Sequence, residues 1–301
     1  MSFLNPVSEP VKRFSSTDAD APQINYNARV AGDVKTVLKA CLVTGYGATA
    51  SAGWTVANET ATVAEFVSPS AAMSDYRLGV DDTSTSSTTW YYQYQNAIVN
   101  PSYNSPGKSF ANVDKTHASN GWQLFITSLG IVFVEIVYHT AVGKLSTRIT
   151  YIGQVKSALN NTSGKNIMFF NVGHSATIGI INYFFNSTSY IHLNLETNTL
   201  THISSATANA LSAATYKLDT SLVDLVSPIY LSNSTKDCLI GELPPFLSKL
   251  VNKSSNLYGV SDFTLDGRGV VSVCAGFANA TAATANERSF TMLIRTDYWE
   301  Y

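Results

Sequence analysis

From residue 54 onward, the chain is a succession of short runs rich in Thr, Val, Ile, Tyr and Phe, separated by polar segments. β-Branched and aromatic residues favour strands, and the polar segments supply turns. This pattern predicts a mainly β fold of the α+β class, built from antiparallel sheets or a sandwich. The predicted strands are 54–67, 75–81, 88–94, 122–128, 131–138, 146–155, 166–172, 188–195, 222–231, 257–265, 269–276 and 288–298.

One amphipathic helix is predicted near the N-terminus. Between Gly32 and Leu42, apolar residues recur at positions 34, 37, 38, 41 and 42, the spacing of a helix with one buried face. Asp33 suits the positive N-terminal end of such a helix, and Gly45 suits a left-handed residue just beyond its C-terminal end. A second, weakly amphipathic helix is predicted at the Ala-rich segment 205–216.

The segment after the first helix, Thr44-Gly45-Tyr46-Gly47, has the composition of a potassium-channel filter. A filter needs membrane-spanning segments. The most apolar segment, 124–138, is too short to span a membrane and is predicted to form two strands. We therefore expect no membrane partner.

A phosphate-binding loop is the second interpretation of these glycines. It requires a strand before the loop and a helix after it, whereas here the helix comes first and a strand-like run follows. We interpret Gly45, Tyr46, Gly47 and Gly53 as parts of a tight turn. We expect Trp54 to pack back on the helix, against Val34, Leu38 or Cys41.

Charged residues make up only 13% of the chain, against about 25% in a typical globular protein. The net charge is −2, and no stretch clusters Lys or Arg. Such a surface suits contact with other proteins, where charge is depleted, and does not suit nucleic acid. The three cysteines, Cys41, Cys238 and Cys274, lie far apart, which predicts free thiols rather than disulfides or a zinc site.

The chain divides into three regions by composition. Residues 1–31 are rich in Pro, Ser, Thr and Asp without an apolar period, and we interpret them as an extended arm that orders against a neighbouring subunit. The polar segment 159–164 marks a soft boundary. It would separate a helix-plus-β region, 32–160, from a second β region, 161–301, unless the two form one continuous domain.

Gly173-His174-Ser175 follows a hydrophobic run, as in the nucleophile elbow of serine hydrolases. That tight turn needs glycine on both sides of the serine, and Thr177 occupies the second glycine position. The residues that follow are as typical of a strand as of a helix. A hydrolase that uses Ser175 is therefore the weakest of the functional alternatives.

The remaining polar candidates form no complete site. His192 and His202 flank a predicted hairpin, but a histidine pair without a third ligand is more typical of a surface than of a metal site. Asp81 and Asp82 lack the alternating ligands and central glycine of a calcium loop, so we interpret them as the solvated start of a loop. We expect no metal, no cofactor and no enzymatic activity.

Aromatic residues between 90 and 104 suggest an alternative function. If exposed, they would stack on sugars and make the chain a receptor- or glycan-binding module; otherwise they are strand residues with one buried face. The residues concerned are Trp90, Tyr91, Tyr92, Tyr94 and Tyr103.

Two features near the C-terminus predict structural roles. Pro244 and Pro245 predict a rigid, apolar turn within 241–247. Three of the last four residues, Tyr298, Trp299 and Tyr301, are aromatic and unfavourable in water. We expect these aromatics to dock on the domain or on a neighbour.

Several of these blocks, in order between residues 30 and 301, resemble a family of uncharacterised virion proteins of tailed bacteriophages. In that family a helix ends in a "GYG…AGWT" turn, an "LRVDDT" strand and loop follow, a late "GxLPG" segment appears, and the last strand ends near a Trp. Pro245 stands where the family has Gly, and Gly79 interrupts the LRVDDT strand. The matching blocks are Leu42–Gly47 after the helix, Ala52–Thr55, Tyr76–Thr83, Gly241–Pro244 and Trp299.

The resemblance implies a structural part of the phage particle, located in the virion and assembled in the host cytoplasm. The part would be a capsid decoration or head-associated protein, or a neck or tail protein. Its partners would be other virion proteins and copies of itself. The resemblance supplies no catalytic residues.

Overall fold

Antiparallel strands dominate the computed structural model, as the sequence predicts. The structure describes residues 6–24, 29–74, 76–94, 97–99, 111–114, 118–139, 144–157, 166–172, 191–194, 199–202, 208–209, 225–232, 239–250, 260–265, 267–274 and 290–301. The strands in these ranges are β1 (Ser8–Pro10), β2 (Lys12–Ser15), β3 (Thr55–Glu59), β4 (Val63–Val67), β5 (Tyr76–Asp81), β6 (Ser87–Tyr94), β7 (Ala97–Val99), β8 (Ala111–Asp114), β9 (Ala118–Ile126), β10 (Gly130–His139), β11 (Lys144–Gln154), β12 (Lys156–Ser157), β13 (Asn166–Val172), β14 (Ile191–Asn194), β15 (Thr199–His202), β16 (Ala208–Asn209), β17 (Leu225–Ser232), β18 (Leu239–Leu250), β19 (Val260–Leu265), β20 (Arg268–Cys274), β21 (Phe290–Arg295) and β22 (Tyr298–Glu300).

These strands form three sheets and one short ribbon. The central sheet has the order β15-β14-β13-β11-β10-β9-β2. The outer sheet has the order β3-β4-β5-β6-β7, and β8 also pairs with β6. The C-terminal sheet has the order β16-β17-β18-β21-β20-β19, with β12 paired to β18, and the terminal ribbon joins β1 to β22.

The central sheet lies between the other two sheets. In the register of β10 and β11, Phe133 pairs with Thr150, so Phe133 and Tyr151 point to opposite faces. The ring centroid of Phe133 lies 6.0 Å from that of Trp90 in the outer sheet. On the other face, Tyr151 lies 5.5 Å from Phe246 in the C-terminal sheet. Burial on both faces explains why β10 is almost continuously apolar in sequence.

The predicted N-terminal helix is confirmed. Helix α1 covers Asp33–Lys39 and continues into a π-helical turn, Ala40–Thr44. A single 3₁₀ turn, Ala71–Met73, lies between β4 and β5. All members of the predicted apolar stripe are buried, namely Val34, Val37, Leu38, Cys41 and Leu42.

Residues 8–15 lie in the region 1–31, which we interpreted as an arm ordered against a neighbour, and they pair within their own chain. β1 pairs with β22, and β2 adds to β9 at the edge of the central sheet. Val7 and Tyr301 exchange two backbone hydrogen bonds, of 3.0 and 2.9 Å. Because these bonds alternate along an antiparallel ladder, the backbone nitrogen of Pro10 faces away from β22 and the missing N–H breaks no bond.

The structure also differs from two local predictions. The run 54–67 is a hairpin of β3 and β4 rather than one strand, and the Thr60 N–H donates to the Val63 carbonyl across its turn, at 2.8 Å. The helix predicted at 205–216 is wrong at 208–209, which form β16 and pair with β17. The weak apolar stripe there does not outweigh cross-strand pairing. The rest of that segment lies outside the described residues.

Backbone pairing runs across the predicted boundary at residue 160. β11 pairs with β13, although they lie on opposite sides of that boundary. β12, just before the boundary, pairs with β18 in the C-terminal sheet. The division into 32–160 and 161–301 stays a prediction.

Candidate functional site

The residues singled out in the sequence fall into two places. The first is a helix collar, defined here as the loop 45–54 and the pair 81–82, which lie at the two ends of α1. The second surrounds Pro244 and Trp299 in the C-terminal sheet and the terminal ribbon.

The first residue of the loop 45–54 in the helix collar terminates the helix. Gly45 has φ 74° and donates its N–H to the Ala40 carbonyl at 2.8 Å. A Cβ at Gly45 would lie 2.5 Å from the carbonyl oxygen of Thr49, so only glycine fits this position. Tyr46 and Thr49 then exchange backbone hydrogen bonds of 3.1 and 2.8 Å, which close a tight turn.

The end of the loop is hydrogen-bonded to the last turn of the same helix. The N–H groups of Ala52 and Trp54 donate to the carbonyls of Cys41 and Leu42, at 2.8 and 2.9 Å. These bonds satisfy carbonyls that the last helical turn leaves open. Gly53, between the two donors, has φ 83°. Trp54 is buried in the same apolar cluster as the helix residues on which we expected it to pack.

The loop also holds the N-terminal segment. The Tyr46 hydroxyl donates to Asp18 Oδ2 at 2.6 Å, and the Tyr46 ring lies 6.0 Å from that of Phe14. A Cβ at Gly47 would lie 2.7 Å from Asp20 Oδ2, which shows how closely the two segments approach. The loop thus joins the helix to residues 14–20.

Two titratable groups in this region are held protonated. Burial raises the pKa of the Cys41 thiol, and the charge of Asp18 raises it further. Burial also raises the pKa of the Tyr46 phenol, to which the hydrogen bond with Asp18 adds. A thiol in this setting is an inert core group, since the thiolate is the nucleophile.

Asp82 holds the opposite end of the helix, and the interpretation of this residue as solvated is wrong. Asp82 is fully buried. Its Oδ2 accepts from the backbone N–H groups of Val34 and Lys35, at 2.8 and 3.3 Å, and its Oδ1 accepts from the Thr88 hydroxyl at 2.7 Å. The open N–H groups of the first helical turn compensate for burial of the charge. Asp81 is half-buried.

Pro244 and Pro245 do not form a turn between strands. Residues 241–247 belong to β18, and within it residues 243–246 face a single residue of β17, Ile229. Prolines cannot donate to a ladder, so they are confined to edges and bulges. The pair therefore makes a bulge in the longest described strand.

Four charged residues, called here the C-terminal ion cluster, meet beside this bulge. Lys156 Nζ lies 3.3 Å from Glu300 Oε2 and 3.9 Å from Glu242 Oε2. Arg295 lies 3.4 Å from Glu242 Oε1 and donates to the Pro244 carbonyl at 2.7 Å. Two cations balance two anions, as burial requires. Sequence analysis missed this cluster, because Lys156 and Glu242 lie about 140 and 50 residues before Arg295 and Glu300 and no local pattern links them.

The C-terminal aromatics dock on the domain itself, one of the two outcomes expected. Trp299 is fully buried, and its indole N–H donates to the Arg295 carbonyl at 2.9 Å. Tyr301 is also fully buried, and its hydroxyl lies 2.9 Å from that of Thr127.

The aromatic residues proposed to bind sugars are in part unsuited to that role. Trp90 and Tyr91 are buried in β6, and the Tyr91 hydroxyl donates to Glu65 Oε1 at 3.3 Å. The backbone of Tyr92 and Tyr94 lies in the same strand. Tyr103 lies outside the described residues.

The remaining candidates for chemistry gain no support. Ser175 and His174 lie outside the described residues. His192 and His202 belong to the predicted hairpin, but the ladder pairs them with Thr201 and Ile191 rather than with each other. Within the described ranges, no three His, Cys, Asp or Glu side chains are grouped to hold a metal ion. No helix in the same ranges has the length and apolar character needed to cross a membrane.

No protein-family model matches the chain, and no curated protein matches it in sequence.

Proposed function

We propose that this protein is a structural component of a tailed-phage virion and acts through protein–protein assembly. The proposal starts from the sequence blocks that resemble the phage family, which include Gly45–Gly47, Gly53-Trp54 and Asp81-Asp82. It places the protein in the capsid as a decoration or head-associated protein, or in the neck or tail.

The observation that carries the proposal is the convergence of these blocks on one helix. The blocks are separated in sequence, yet they hold both ends of α1 and join it to the N-terminal segment and to the outer sheet. Each block contributes backbone hydrogen bonds or packing. The resemblance therefore concerns residues that build a scaffold, which is what a structural protein of a particle needs.

The pairing of charged residues within the chain supports the same function. Several charged residues in the described ranges form ion pairs within the chain, as Arg29 does with Asp33 and Arg295 does with Glu242. The hydroxyl- and amide-rich residues that remain suit contacts with other subunits, where charged residues are depleted.

Quantitative mass spectrometry of purified particles tests the proposal. We expect the chain in particles of the phage that encodes it, and no signal in particles from a phage with a stop codon in this reading frame. Hundreds of copies would indicate a capsid decoration protein, and about a dozen or fewer a ring at the neck or tail. Absence of the chain from intact particles would overturn the proposal.

A further inference from the structure

We draw no further inference here: the strongest candidate, the outer edge of β3 in the outer sheet, where four of the five strand residues are exposed, carries none because nothing in the described part of the chain shows what would pair with it.

Discussion

The central sheet and the outer sheet contain similar residues, but the layers around each sheet decide how many of those residues are buried. Every residue from 131 to 135 in β10 is buried, whichever face it points to. In β3, at the edge of the outer sheet, Val56 is half-buried and the other residues are exposed. A strand in the middle of a stack therefore needs an almost continuous apolar run, whereas an edge strand tolerates polar residues on both faces.

The same contrast applies to the acidic residues of the two sheets. Glu135 in β10 is almost fully buried and pairs with Arg29, whose side chain is 7% exposed. Glu59 in β3 keeps 28% of its side chain exposed and pairs with Lys35 and Lys39 of the helix. We expect the buried pair to be more sensitive to loss of one partner, because Arg29, which also pairs with Asp33, has little water to solvate charge left uncompensated in the interior.

The largest expected effect is that of a cavity in the middle layer. Phe133→Ala should lower the free energy of unfolding by about 3–5 kcal/mol, because the buried ring packs against Trp90 and its removal leaves a cavity. The control Val56→Ala in the edge strand should lower it by less than about 1 kcal/mol. Urea denaturation measures both values. Equal losses would contradict the difference in burial between the two sheets.

A second substitution tests the buried ion pair. Glu135→Gln keeps the shape of the side chain but leaves Arg29 with less compensating charge, so we expect a loss of about 3 kcal/mol in the free energy of unfolding. Glu59→Gln, its counterpart on the outer sheet, should cost about 0.5 kcal/mol. If both variants unfold at the same urea concentration, burial does not set the strength of these pairs.

The contact between the outer sheet and the helix gives an intermediate effect. Asp82→Ala removes the acceptor of two helical N–H groups and should cost about 2 kcal/mol, at the upper end for a helix cap. Asp81→Ala, one residue earlier, is the matched control and should change stability by less than about 0.5 kcal/mol. Circular dichroism during urea unfolding reports both. A similar loss from both variants would argue against Asp82 as the specific cap.

Sequence predicts best where structure depends on neighbours along the chain. The helix stripe and the apolar run of β10 are local patterns, and both were confirmed. The burial of Asp82 was missed, because its partners on α1 lie almost 50 residues earlier and no local pattern links them. β18 was missed because Pro244 and Pro245 suggest a turn, and the bulge that accommodates them depends on register with another strand. The place of Pro10 in a strand also became clear only once β22 was known as its partner.

A glycine of the outer sheet tests how closely the residues on the sheet face opposite Trp90 pack. A Cβ at Gly79 would lie 2.0 Å from the Tyr91 ring, which lies over this position and reaches Glu65. Gly79→Ala should therefore displace the ring and cost about 1–2 kcal/mol. In the double variant with Tyr91→Ala, the added cost of Gly79→Ala should vanish, since the obstructing ring is gone. Additive losses would mean that the substitution acts on the strand backbone instead.

The smallest effect concerns pH and the exposed pair of the outer sheet. Hydrogen bonds from Lys35 and then Lys39 hold the pKa of Glu59 below its ordinary value of 4.5. Because the folded pKa is the lower one, the stabilisation is fully present above pH 4.5 and is lost as pH falls through the folded value.

The comparison of wild type with Glu59→Gln isolates this contribution. The variant lacks the charge at every pH, so the difference in urea midpoint between the two proteins should be present at pH 7 and shrink towards zero below the folded pKa. Salt should reduce the difference at pH 7, since the pair is partly exposed. A difference that is constant from pH 7 to acid would show that Glu59 stabilises the edge strand through its shape and hydrogen bonds rather than its charge. The contrast with Glu135 would then be one of packing, and burial of charge would no longer explain it.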